Sequence, residues 1–241
     1  MLARIRLPKQ IVGGDDVKFL KLVLPCLFGA LFALSSQAGA QREEPLADAV
    51  RTALSAAVSH QGPPELVHAN ALTEQTFTAW LAHTQNLLQQ RLRPRGQPRA
   101  PSEAGPSPSL PSHELDADTL QREFLHTVWY ESQRAGLDPA WVLGLIQVES
   151  GFRKFAISRA GARGYMQVMP FWTRVLSEGD ASQLFHTQAN VRFGCVILRH
   201  YLNLERGNLA LALGRYNGSR GQSAYPTAVL SASKAWRPRE P

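Results

Sequence analysis

In the stretch "IQVESGF" (residues 146–152) a carboxylate stands where an apolar side chain is due. Val142, Leu145 and Ile146 follow the i, i+3, i+4 spacing of a helix that faces a core, and the next place on that stripe, at i+7, is Glu149. On such a face desolvation disfavours the charged form of a carboxyl group. A place in the last helical turn, beside the partially negative carbonyl ends, pushes the same way. No Lys or Arg lies in the turn before Glu149 to offset either effect. A carboxylic acid that keeps its proton near neutral pH is suited to protonating a leaving oxygen. This pattern alone leaves two readings open, a general acid or an ordinary helix-end glutamate.

The element that positions Glu149 is marked at both ends. In "GLDPAWVLGLIQVESGF", Asp138 has the character of an N-cap and Pro139 that of the first helical residue. Gly151 stands where a left-handed cap would stop the helix. Around it, further helical patterns cover residues 116–136, "FWTRVLSEG", "TQANVRFGCVILRHYLNLERG", "LALALGRYN" and "SAYPTAVLSASKAW", with a glycine-punctuated loop through "SRAGARGYMQVMP". No run alternates as a strand does, so a mainly α domain is expected over residues 113–241. Before it lie a Pro/Ser-rich linker (93–112) and two amphipathic helical patterns within residues 41–92. Two helices make too little core for a domain. They are expected to pair as a hairpin that docks on the main domain or serves an envelope partner complex.

The remaining chemistry is sparse. His186 and His200 lack ligand-spaced partners, so no metal and no cofactor is expected. Neither a nucleophile elbow nor a phosphate-cradling glycine loop occurs. Lys18 and Lys21 precede thirteen uncharged residues (22–34) and the small-residue sequence "SSQAGA". This reads as an export signal over residues 1–40 with cleavage after Ala40, an uncleaved anchor being the competing reading. Cleavage would leave Cys195, in an apolar helix, as the only cysteine, a buried small hydrophobe with no disulfide partner. The chain carries 26 Lys/Arg against 19 Asp/Glu. Residues 41–113 hold six of each and residues 114–241 hold 15 against 11, so the excess outside the signal falls in the C-terminal part. A basic domain outside the cytoplasm suits an anionic wall polymer or a lipid surface, and a solvated basic face is the equal alternative. Nothing here speaks for nucleic acid.

Three motifs occur in order, "VESGF", "AGARGYMQVMP" and "RYNGS", followed by "AYPTAVL". Together they resemble the catalytic domain of the soluble-type lytic transglycosylases, relatives of goose-type lysozyme, over about residues 125–230. The resemblance implies a lysozyme-like helical fold and peptidoglycan glycan strands as substrate, and the export signal implies a periplasmic place of work. It implies Glu149 as the sole catalytic acid/base, cleaving the bond after N-acetylmuramic acid to give 1,6-anhydro ends. It further implies that Ser150 helps orient the site, that Met166 and Gln167 line the sugar groove, and that Tyr216 and Asn217 sit opposite Glu149. On the same basis the Tyr216 hydroxyl reaches toward the carboxyl or the substrate, and Tyr225 marks the end of the groove. Core packing is the competing reading for Met166 and Tyr225. Departures from the family pattern are Tyr165 before Met-Gln, Arg163 before the second glycine, and Gly218-Ser219 in exchanged order. The alternatives are a hydrolytic muramidase that keeps the same fold, and a wall-binding accessory module whose helical arm (residues 46–92) recruits a secretion or conjugation apparatus.

Overall fold

The computed structural model describes residues 41–59, 71–92 and 112–238, all within one unit of the chain. The expected export signal (1–40) and the linker up to residue 111 lie outside the described residues. Eight α-helices organise the part described. They are α1 (Asp48–Ser59), α2 (Ala71–Leu92), α3 (Ser112–Arg134), α4 (Pro139–Glu149), α5 (Phe171–Leu176), α6 (Thr187–Leu204), α7 (Leu209–Asn217) and α8 (Ala224–Lys234). A 3₁₀ turn, Ala181–Phe185, leads into α6. The fold is mainly α, and among the described residues the only β character is a pair of isolated antiparallel bridges, Ile157–Arg163 and Arg163–Val168.

The ends of α4 follow from its sequence. Asp138 is extended and its carboxylate accepts from the Ala140 N–H at 2.8 Å, with Pro139 opening the helix. At the far end Gly151 takes φ +57°, and its N–H donates to the Gln147 carbonyl. Between these ends Val142, Leu143, Leu145 and Ile146 are fully buried. The helix lies against α3 and, most extensively, α8. Gly144 makes the second contact close: a Cβ there would stand 2.3 Å from the Ser233 hydroxyl oxygen and 2.8 Å from the Val229 carbonyl. That approach sets the first turn of α8 beside the last turn of α4.

Helix α6 is the spine of the remainder, buried from Asn190 to Leu198 and again from His200 to Leu202, and it packs on α3, α7 and α1. Cys195 is buried there, and the loss of solvent holds its thiol protonated. Across the same core Arg192 Nε donates to one oxygen of the Glu131 carboxylate at 3.0 Å, in an ion pair that brings Nη2 to 2.9 Å, and Arg134 donates to the other oxygen at 3.0 Å.

The two N-terminal helices are not a mutual hairpin. Helix α1 lies on α5 and α6, and α2 lies on α3. Their apolar faces complete different parts of the core, Val58 on one side and Phe77, Trp80 and Leu88 on the other. Phe77 and Trp80 meet Trp129 of α3 at ring-centroid distances of 5.4 and 4.9 Å. Ahead of α1, the Gln41 side-chain carbonyl accepts from the Trp172 indole N–H at 3.0 Å and from the Met169 N–H at 3.3 Å.

Candidate active site

Glu149 ends α4 and is 6 % exposed. Its Oε1 accepts a hydrogen bond of 2.5 Å from the hydroxyl of Tyr225, in the first turn of α8. Oε2 is buried and has no hydrogen-bond partner among the described residues. Burial lifts the carboxyl from 4.5 to about 8, and the Tyr225 hydroxyl, which favours the carboxylate, opposes that lift only in part. Tyr225 itself is pushed well above the usual phenol range, first by burial and then by the neighbouring carboxyl, so it stays a donor. The arrangement holds one oxygen in place and leaves the other available, at neutral pH, to carry a proton.

The other residues singled out by sequence gather on the 150–170 loop and on α7, and several have structural partners. Tyr216 is fully buried on α7, and its hydroxyl donates to the Met166 carbonyl at 2.7 Å. The hydroxyl on the carboxyl thus belongs to Tyr225, and the one beneath the loop belongs to Tyr216. The Glu149 carboxyl still contributes to holding Tyr216 protonated, as burial chiefly does. The Met166 side chain lies in the core. Its sulfur and Cβ press on Gly194 of α6, where an added Cβ would stand 2.3 and 2.8 Å away. Gln167 has a left-handed backbone (φ +50°), and its buried amide nitrogen donates to the carbonyls of Gly164 at 2.9 Å and Ala156 at 3.1 Å. Ser150 is buried with its hydroxyl donating to the Ile146 carbonyl at 3.1 Å. Asn217 closes α7, buried. Met166, Gln167 and Tyr216 therefore brace one another and the loop.

Two organising residues escaped the sequence reading. Asn190 sits under the loop: its carbonyl oxygen accepts from the Met166 N–H, and its amide donates to the carbonyls of Arg163 and Leu184, all at 2.8 Å. Gly164, at φ +75°, admits that amide, since a Cβ would lie 2.3 Å from its nitrogen. The signal was present. Asn190, Gly194 and Ile197 share a stripe at i, i+4 and i+7, so Asn190 is a polar interruption of the same kind as Glu149. Glu205 is the second. It accepts from Arg215, and from Arg220 at 2.6 and 3.0 Å, which holds its carboxyl down at about 2. This clamp fastens "RYNGS" at both ends, and Gly218 between them caps α7 in the left-handed conformation (φ +79°). Nothing local betrays Glu205, whose partners lie 10 and 15 residues further on.

Of the departures from the family pattern, Tyr165 packs on Phe124 at 4.7 Å, and Arg163 donates to the Ala181 carbonyl at 2.9 Å. Among the described residues no group of three His, Cys, Asp or Glu is placed to hold a metal ion. No described helix is long and apolar enough to cross a membrane.

Comparison with known proteins places this site in context. The Transglycosylase SLT domain family matches residues 127–232. Among curated proteins, the membrane-bound lytic murein transglycosylase C of Haemophilus influenzae is 34% identical over 113 residues, 47% of this chain and 29% of that protein. The protein of the same name from Edwardsiella ictaluri is 30% identical over 127 residues, 46% of this chain and 34% of its own length. The chain thus spans about a third of the length of these relatives.

Proposed function

We propose, from the match of residues 127–232 to the Transglycosylase SLT domain family, that the chain is an exported lytic transglycosylase of peptidoglycan in which Glu149 is the sole acid and base. One observation carries the reading: a buried carboxyl that keeps its proton to about pH 8, held by Tyr225 through one oxygen and without a hydrogen-bond partner among the described residues at the other. The names of the curated relatives, lytic murein transglycosylases, support the substrate class.

In this mechanism Glu149 Oε2 gives its proton to the glycosidic oxygen after N-acetylmuramic acid as the C1–O bond breaks. Most glycosidases supply a second carboxylate to meet the positive charge at C1. Here the acetamido carbonyl of the sugar fills that role. Tyr225 then stabilises the newly formed Glu149 carboxylate. The carboxylate removes the proton of the sugar's own 6-hydroxyl, whose oxygen closes on C1 to give a 1,6-anhydro end. Glu149 ends protonated again and water is not consumed. Mass spectrometry of muropeptides released from sacculi tests the outcome. Anhydro ends are lighter by one water than hydrolysed ends, and a product set made only of reducing ends would assign the chain to the muramidases instead.

Residues 41–92 are read as an arm of the same catalytic unit, and the chain's place of work as the periplasmic wall.

A further inference from the structure

Immediately beyond Glu149 the chain becomes basic and exposes large apolar side chains. From Ser150 to Ser177 there are five cations, Arg153, Lys154, Arg159, Arg163 and Arg174, and no acid. Arg153, Lys154 and Arg159 are exposed and form no ion pair among the described residues. Among them Phe155 is 70% exposed and Ile157 is 65% exposed. An isolated exposed Leu or Phe is ordinary, whereas an organised aromatic patch is not. Phe155 lies 6.0 Å from Phe185, ring centroid to centroid, with the Lys154 ammonium 5.4 Å over the Phe155 ring and the Arg163 guanidinium 5.6 Å over Phe185. Together with His186 and the first residues of α6, Thr187 and Gln188, Lys154 and the two phenylalanines line an open cavity of about 420 Å³.

The shelf is held rather than loose. Arg153 Nε donates to the Ser150 carbonyl at 2.8 Å, tying the shelf to the end of α4. The Ala156 carbonyl receives both the Gly164 N–H at 2.9 Å and the Gln167 amide at 3.1 Å, tying it to the loop beneath the site. Phe155 follows Glu149 by six residues, so at most about 22 Å separates them, a span covered by a few sugars.

We infer that this shelf, built on Lys154, Phe155, Phe185 and the N-terminus of α6, binds the carboxylate-bearing stem peptides of the glycan strand being cleaved. The inference rests on the reading of peptidoglycan as substrate. The complementarity is of charge and of shape together. Lys154 and the positive end of α6 attract a carboxylate, and the aromatic pair offers an apolar face to the short aliphatic side chains beside it. Asp180 faces Arg163 and His186 and offsets part of their charge, so Lys154 and the helix end carry the attraction. Removal of the peptides leaves one lactyl carboxylate on each N-acetylmuramic acid ring and takes away both the peptide carboxylates and the aliphatic side chains that the aromatic pair would meet.

The test uses the full chain carrying Glu149→Gln, so that cleavage does not perturb binding. Its retention is measured on intact sacculi and on the same glycan stripped of peptide by an amidase. The Lys154→Gln/Phe155→Ala variant is expected to lower the ratio of the two affinities about tenfold. Lys154→Glu is expected to act in the same direction, and Lys154→Arg to hold the ratio. Both substituted side chains, Lys154 and Phe155, are exposed, and thermal unfolding compared with the parent identifies any variant that loses its fold. A ratio unchanged in both charge-removing variants overturns the shelf. Retention of neither material by the parent overturns the reading of the substrate, and the shelf with it.

Discussion

At Glu149 the opposed effects of burial and of the Tyr225 hydroxyl have consequences for activity and for stability that run in different directions. The proton-donating form exists below about pH 8, so cleavage is expected to fall as the pH rises through that value. Tyr225→Phe removes the donor that favours the carboxylate. The alkaline limb of the pH–rate profile should then move up by about one unit, while kcat falls because the carboxylate intermediate loses its partner. A limb that moves down would exclude this role for Tyr225. Stability follows the same pKa. The unfolded chain releases the Glu149 proton near 4.5 and the folded chain near 8. The native state therefore holds the extra proton between those values, and its stability falls as the pH climbs through that window. Glu149→Gln abolishes the proton donor but leaves an acceptor for Tyr225. Denaturant unfolding at pH 8 should find this variant more stable than the parent by on the order of 2–4 kcal/mol, with peptidoglycan cleavage lost. Retained cleavage would refute the proposed role of Glu149. A carboxyl on a core-facing stripe was legible because helical spacing is local. Its partner was not, because Tyr225 comes 76 residues later and reaches Glu149 only through the α4–α8 contact.

Between elements, the loop 150–170 depends on what α6 and α7 present to it. Asn190 meets three backbone groups at once, so Asn190→Ala leaves a buried N–H and two carbonyls without this partner. A cost of about 2–4 kcal/mol is expected in urea unfolding, together with a fall in kcat, because the Met166 carbonyl that seats Tyr216 shifts with the loop. Gly194→Ala should act through the same loop from the opposite side, by forcing Met166 off α6. An Asn190→Ala variant with parental stability and rate would show that the loop holds its shape without α6. Helix limits near the site were legible where a cap residue sits at its own boundary, as Asp138, Pro139 and Gly151 do. The structural duties of Met166 and Gln167 were not, because a Met-Gln pair on a loop carries no periodic signal. Only the fold shows Gly194 below one and two carbonyls around the other.

For the molecule as a whole, the question is whether residues 113–241 are sufficient. The sequence suggests so, because a Pro/Ser-rich segment separates them from the N-terminal helices. The packing argues for dependence. Phe77 and Trp80 cover Trp129, and Arg91 lies over Trp236 at 4.8 Å. Trp236 in turn donates to the Gln147 side chain at 3.0 Å and meets the Phe152 ring at 5.3 Å, so α2 braces the end of α4 next to Glu149. Gln41 ties the other face to Trp172. Removal of residues 41–92 exposes Trp129 and Trp236, each deeply buried in the full chain. Large aromatic contacts of this kind are worth about 3 kcal/mol or more. The fragment 113–241 is therefore expected to melt roughly 10 °C below the full chain, with red-shifted tryptophan emission and reduced cleavage. Equal melting temperatures would mean that the N-terminal helices lie on the catalytic unit without stabilising it. Their apolar faces would then be free to be exchanged for a partner in the envelope, the very role that their present burial argues against.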